Sequence, residues 1–198
     1  METSLLLSAA LFGFVTSLTP GPNNTYLLAS GMNHGFRRSI PYMIGVLAGL
    51  ALVFFSVIVG LGWVFTTLPV LYQILKWVGF AYICWMAWGI ATSGTATGET
   101  KSTNYVGLWK ALGFQFVNPK AWIVAASFTA TYVPAGGSFV GAFLFTLVLV
   151  VATSPGLVLW TGLGQLLSTW LTSPTKRRVF NYTVAVVLVL SMVPVLFI

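Results

Sequence analysis

Thr19-Pro20-Gly21-Pro22-Asn23-Asn24 lies inside a stretch that carries no charge between Glu2 and Arg37. A helix crossing lipid needs about 20 apolar residues to cover roughly 30 Å of hydrocarbon, so two prolines and two amides in such a stretch call for an explanation. Proline supplies no N–H and clashes with the carbonyl four residues back. Pro20 and Pro22 therefore free the carbonyls of Thr16 and Leu18. In hydrocarbon each unpaired backbone group costs several kcal/mol, so a break of this kind survives only against protein or a watery cavity. The stretch reads as a membrane helix opened in its middle.

Composition agrees. Of 198 residues, 58% are hydrophobic and 6% charged, with nine Lys/Arg against two Asp/Glu. About a quarter of a soluble domain is charged, because its surface must be wetted, and a short chain exposes much of its surface. A soluble enzyme or a nucleic-acid-binding domain is thereby excluded. Further charge-free stretches run from Ser39 to Leu75, Trp77 to Gly98, Ala121 to Thr175 and Val179 to Ile198. The fourth is long enough for two spans, with a turn at Val133-Pro134-Ala135-Gly136-Gly137-Ser138. Six helices are predicted near 4–32, 41–66, 72–92, 111–133, 138–167 and 178–197. The first lacks the basic start of a signal peptide and its apolar pattern runs past Thr19, so it is expected to be a retained span. The single Cys84 excludes a disulfide framework and a two-thiol shuttle, and reads as a small buried hydrophobe.

The basic residues orient the chain. Arg37 and Arg38 fall between helices one and two, Lys101 and Lys110 between three and four, and Lys176, Arg177 and Arg178 between five and six. These are alternate loops, and the others, near Thr66–Leu71 and Pro134–Ser138, carry no charge. By the positive-inside rule the basic face is cytoplasmic and both termini lie outside. The net charge of +7 then reflects topology and contact with anionic lipid. Three spans, a polar linker near Thr92–Tyr105 and three more spans divide a single transmembrane domain, 1–198, into repeat one (about 1–95) and repeat two (about 105–198). An odd number of spans per half inverts the second half, a common transporter construction with the substrate site at the repeat interface. The expected fold is an all-α integral membrane protein, six transmembrane helices as two inverted three-helix repeats with helices one and four broken.

The second break is Gln115-Phe116-Val117-Asn118-Pro119-Lys120, again in the first helix of its half, where Pro119 frees the carbonyl of Gln115. Two breaks at matching places, each with amides attached, outweigh a packing kink. Lys120 lies about 15 Å beyond Lys110 along a helix, near the midplane, where an ionisable residue is a functional candidate. Lys76, near the outer end of helix three, is expected to snorkel. Thr153-Ser154-Pro155-Gly156 is a third candidate break, read first as a packing kink. Gly45 and Gly49 form a small-residue pair suited to an intramolecular contact or a dimer face.

Read together, Thr19-Pro20-Gly21-Pro22-Asn23-Asn24 and Asn118-Pro119-Lys120 resemble the LysE/RhtB family of amino-acid exporters, over essentially the whole chain. His34-Gly35-Phe36-Arg37, Ala81-Tyr82-Ile83, Ala87-Trp88, Ile90-Ala91-Thr92-Ser93 and Gln115-Phe116-Val117-Asn118 look most like its cysteine/O-acetylserine branch, while Pro119 looks like the wider family. The resemblance implies a bacterial inner-membrane protein that expels amino acids or related metabolites, as a homodimer or higher oligomer.

The chemistry is argued from the same residues. After each break a half-helix starts with free N–H groups and a positive dipole end. The expected substrate site is Thr19, Pro20, Gly21, Pro22, Asn23, Asn24, Gln115, Asn118, Pro119 and Lys120, with the carboxylate held by the two helix starts and the Lys120 ammonium. The substrate ammonium is expected on the carbonyls of Thr16, Leu18 and Gln115 and on the amide oxygens of Gln115, Asn118 or Asn23. The only acids, Glu2 and Glu99, lie away from this site. A basic substrate would have only carbonyls and faces such as Trp85 or Trp160, so small neutral amino acids are expected over basic ones. Proton coupling through Lys120 and a fixed counter-charge there both stay open, with His34 read as a loop residue. An intramembrane enzyme would need a metal set, which one His, one Cys and no membrane acid do not provide, or a Lys120–Ser127 pair about 10 Å apart on one helix. A passive channel is the remaining reading. No cofactor and no metal are expected.

Overall fold

The computed structural model describes residues 3–61, 69–93, 106–134 and 138–197. Glu2, Trp63, Glu99, Lys101, most of the polar linker and Ala135-Gly136-Gly137 lie outside the described residues. Every regular element described is helical: α1 (Thr3–Leu18), α2 (Pro22–His34), α3 (Phe36–Ser56), α4 (Pro69–Thr92), α5 (Leu108–Val117), α6 (Pro119–Tyr132), α7 (Phe139–Trp170), α8 (Pro174–Leu190) and α9 (Val193–Leu196). A π-helical turn, Val57–Leu61, continues α3, with Gly60 at φ 104°. Phe36–Gly60 and Phe139–Trp170 are each long and apolar enough to cross a membrane. The pair α1 and α2, bent by 58°, makes a third such span when taken as one.

Three boundaries differ from the sequence expectation. Helix one does not pass into a loop near 33–40. Gly35, at φ 81°, turns the chain directly from α2 into α3, because a glycine tolerates the left-handed region without strain. Arg37 and Arg38 therefore sit in the first turn of α3. Lys176, Arg177 and Arg178 likewise lie within α8, which Pro174 opens at its first position, and Arg177 Nε donates to the carbonyl of Leu171, 2.8 Å, at the end of α7. The last helix, expected over 178–197, starts earlier and is divided into α8 and the four-residue α9.

The helices pack crosswise. α1 and α2 lie against α7, α3 lies against α5 and α6, and α4 pairs with α8. Two apolar cores flank the breaks. Tyr26, Tyr42, Met86, Phe114 and Leu188 belong to one on the side of the basic residues, and Ala9, Phe54, Phe128 and Phe145 to the other. The outer surface stays apolar as well, with Leu7, Val140 and Trp170 mostly exposed, as a lipid-facing surface requires.

Small residues set the closest approaches. Gly45 and Gly49 face α5: a side chain at Gly49 would place its Cβ 2.6 Å from the Leu112 carbonyl oxygen and from Gln115 Cγ. The pair serves an intramolecular contact. Gly31 and Gly164 play the same part reciprocally between α2 and α7, against the carbonyls of Thr161 and Leu28. At the third candidate break α7 runs through Pro155 without interruption, and Gly156 lies against Ser17 of α1, so this proline is accommodated by packing. Lys76 corrects another expectation. It is 5% exposed and donates to the carbonyl of Leu196 at 3.2 Å, because the last carbonyls of α9 have no intrahelical donor.

Gly49→Val is expected to lower the stability of the purified protein by about 1–3 kcal/mol, the usual cost of overpacking. Gly113→Ala, where a Cβ meets nothing within 4 Å, is expected to leave it unchanged or slightly raised. Thermal unfolding in detergent checks both.

Candidate functional site

The first break spans Thr19, Pro20 and Gly21, between the end of α1 and Pro22 at the first position of α2. Its polar groups are largely satisfied from nearby. The Thr19 hydroxyl donates back to the Thr16 carbonyl at 2.6 Å, and the Thr19 N–H reaches the same oxygen at 3.3 Å. Asn24 Nδ2 donates to the carbonyls of Ser17, 2.7 Å, and Thr19, 2.8 Å. The Thr16 carbonyl is therefore not left free for a ligand, as the proline argument alone suggested, because a hydroxyl three residues on folds over it. The start of α2 has no side-chain cap, so the first-turn N–H groups remain directed at whatever lies beyond them.

The second break is a single residue. Asn118 is extended, φ −86° and ψ 104°, between α5 and α6. Its Oδ1 accepts from the Lys120 N–H at 3.1 Å, as an N-cap side chain does, and Pro119 takes the first helical position. The Gln115 carbonyl accepts from the Asn118 N–H at 3.4 Å.

The two breaks meet. Asn23 Nδ2 donates to Gln115 Oε1 at 2.9 Å, and Gln115 Nε2 donates back to Asn23 Oδ1 at 3.1 Å. This is a reciprocal amide pair across 92 residues of sequence. Tyr42 Oη donates to Asn23 Oδ1 at 3.1 Å, and the Tyr42 ring lies 4.3 Å from that of Tyr26. Gln115 Nε2 also reaches the Ala111 carbonyl at 2.9 Å, and Asn118 Nδ2 lies 3.4 Å from Gln115 Oε1. On the other side of this clasp Lys120 Nζ donates to Thr19 Oγ1 at 2.8 Å, the Pro20 carbonyl at 3.2 Å and the Thr19 carbonyl at 3.3 Å. A Ser127 partner is not among its bonds.

A cavity of about 70 Å³ opens beside these contacts. At roughly 10–15 Å³ per water this is room for about five waters, a volume on the scale of a small amino acid. Of the ten residues expected from sequence, Gly21, Pro22, Asn23, Asn24, Asn118 and Lys120 line it. Thr19 and Pro20 hold the Lys120 ammonium, Gln115 holds Asn23, and Pro119 starts α6 buried beside them. All ten are thus gathered in one place, with Gln115 and Pro119 buried behind the lining and Thr19 and Pro20 at the exposed end of the break. Sequence reasoning missed Tyr42, which carries no local signal, and the apolar wall of Leu50, Phe54 and Leu149. Thr153, flagged as part of the third candidate break, does line the cavity although its helix is unbroken.

The aromatic faces considered for a basic ligand are not offered to the cavity. Lys110 Nζ sits 4.9 Å from the centroid of Trp85. The Trp160 indole N–H is buried and has no acceptor among the described residues. Among those residues no group of three or more His, Cys, Asp or Glu could hold a metal ion.

Comparison with known proteins places the chain in a family. Residues 14–196 match the family described as LysE type translocator. A cysteine/O-acetylserine efflux protein of Salmonella typhimurium is 43% identical over 112 residues, 54% of this chain and 55% of the relative. The protein of the same description from Klebsiella pneumoniae is 40% identical over 112 residues, 56% of each. That from Escherichia coli O1:K1 is 40% identical over 99 residues, 48% of this chain and 49% of the relative. The chain spans about half the length of the curated relatives it matches. No solved structure is a significant match. The matched region takes in both breaks and every lining residue of the cavity but Gly13, and on that extent the chain belongs to the LysE type translocator family.

Proposed function

We propose that this chain is a secondary carrier exporting small neutral amino acids or related metabolites across the bacterial cytoplasmic membrane. Cysteine and O-acetylserine lead the list, because relatives of the cysteine/O-acetylserine efflux description share 40–43% identity over half their length. Serine-, threonine- and homoserine-like compounds follow on size. The observation that carries the reading is the meeting of the two breaks at one cavity whose only charged side chain among the described residues is Lys120.

The substrate carboxylate faces the Lys120 charge and the uncapped start of α2, where Asn23 and Asn24 lie on the wall. Helix starts favour anions, by about 0.3–1 kcal/mol each at exposed sites and more when partly buried. The substrate ammonium turns to the Thr153 hydroxyl and to the second lone pair of the Ser17 carbonyl. Leu50, Phe54 and Leu149 leave a short apolar place for the side chain. A cationic side chain would find no carboxylate there, since no acid lies among the described residues, and burying it unpaired would be costly.

Crosswise packing supports six spans as two inverted repeats. α1 and α2 lie on α7 as α5 and α6 lie on α3, and α4 pairs with α8, the relations a two-fold axis in the membrane plane would generate. With the basic residues inside and both termini outside, the cavity lies on the outer side of the Asn23–Gln115 pair. Tyr26 and Tyr42 then close the cytoplasmic side, an arrangement suited to substrate release.

Lys120→Met and Asn24→Ala are each expected to reduce counterflow of labelled cysteine or serine in proteoliposomes at least about tenfold, equivalent to about 1.4 kcal/mol. Normal transport by both variants would overturn the site. Across a panel of labelled amino acids, cysteine, serine and threonine are expected to exchange well above arginine and lysine, and a clear preference for arginine would overturn the substrate class.

A further inference from the structure

We infer that the oxygens of the first break form a monovalent-cation site, filled in this protein by its own Lys120 ammonium. Thr19 Oγ1, the Thr19 carbonyl and the Pro20 carbonyl stand 2.8, 3.3 and 3.2 Å from Lys120 Nζ. An ammonium has three N–H donors and no acceptor, so three oxygens satisfy it fully. All three are neutral. They lie at the exposed end of the break, and no carboxylate that could pair with the ammonium lies among the described residues.

The cage is built for a positive charge. It sits just past the end of α1, where orphan carbonyls and the negative end of the helix dipole converge. Unwound backbone and half-helix carbonyl ends of this kind are where broken-helix carriers seat a coupling cation. The Thr19 hydroxyl sends its hydrogen to Thr16, which turns its lone pairs toward Nζ. Asn24 Nδ2 fixes the Thr19 carbonyl at 2.8 Å. Gly21 makes the room, since a Cβ there would come within 2.9 Å of Nζ. The ammonium is a compact point charge on a flexible stem, and the stem is rooted in α6, beyond the other break. The cage is therefore filled only while the two breaks lie together.

A bound ion supplied by the chain makes a free one unnecessary, and removing the ammonium leaves a vacancy of its size. The test uses purified Lys120→Ala, melted in detergent with methylammonium, sodium or choline chloride at equal ionic strength. Methylammonium at about 100 mM is expected to raise the melting temperature of Lys120→Ala by roughly 2–4 °C over choline, the shift of about 1 kcal/mol in a chain of this size. Wild type is expected not to move, and Thr19→Val combined with Lys120→Ala to lose at least half the shift. Equal melting of Lys120→Ala in all three salts, or an equal rise in wild type, would overturn the site. If Lys120→Ala cannot be purified folded, the same titration on Lys120→Ser decides. Its role in transport rests on the export reading and has its own readout. Wild-type counterflow of serine is expected to be unchanged when sodium is replaced by choline, and Lys120→Ala to regain flux severalfold with methylammonium. A melting shift without recovered flux upholds the cation site and counts against the export reading.

Discussion

A backbone carbonyl or N–H with no partner in hydrocarbon costs several kcal/mol, and this chain opens two helices in their middles. Everything near the cavity follows from that debt of hydrogen bonds. Thr19 and Asn24 satisfy the first break from within, covering the Thr16, Ser17 and Thr19 carbonyls. Asn118 caps the helix after the second. What local side chains leave open is completed across the interface, by the ammonium of Lys120 on one side and the Asn23–Gln115 amide pair on the other. The second half of the chain thus finishes the first half's broken helix, and the amide pair ties the two breaks together.

The junction between the breaks rests on individually modest bonds: a reciprocal pair of neutral amides contributes about 1 kcal/mol per bond. Tyr42 adds a third bond to the clasp, donating to Asn23 Oδ1, and its tilted ring lies against that of Tyr26, so the clasp is thickened by rings toward the basic side. The glycine contacts lie elsewhere, at Gly45 and Gly49 on α5 and at Gly31 and Gly164 between α2 and α7. They fix close helix crossings while the clasp itself rests on side chains.

Much of this was legible in the sequence because prolines and charges in an apolar chain are rare and positionally costly. Pro20, Pro22 and Pro119 mark the breaks, and Lys120 stands out for its depth. Other features depend on long-range register, which no local pattern carries. Tyr42 reads as an ordinary aromatic until α3 is set against α2. Lys76 reads as a snorkelling residue until the end of α9 brings the Leu196 carbonyl to it. Leu50, Phe54 and Leu149 look like any lipid-facing residues, since in a chain 58% hydrophobic the apolar wall of a cavity has the same composition as the outside. Gly35 differs for another reason: the charged gap between two apolar stretches suggests a loop, where one residue at positive φ suffices to join two helices.

The scarcity of acids gives the cavity its electrostatic sign. In a site with paired charges a carboxylate would neutralise Lys120 and leave a substrate carboxylate little to gain. Here neutral oxygens hold the ammonium in place, satisfying its donors without cancelling its charge. The field of a full positive charge therefore remains available to an anion in the cavity, reinforced by the uncapped start of α2. The same field repels a second cation. On the export reading proposed above, selectivity for a substrate with one carboxylate and no cationic side chain follows from an arrangement in which the lysine is bound by dipoles instead of by an acid.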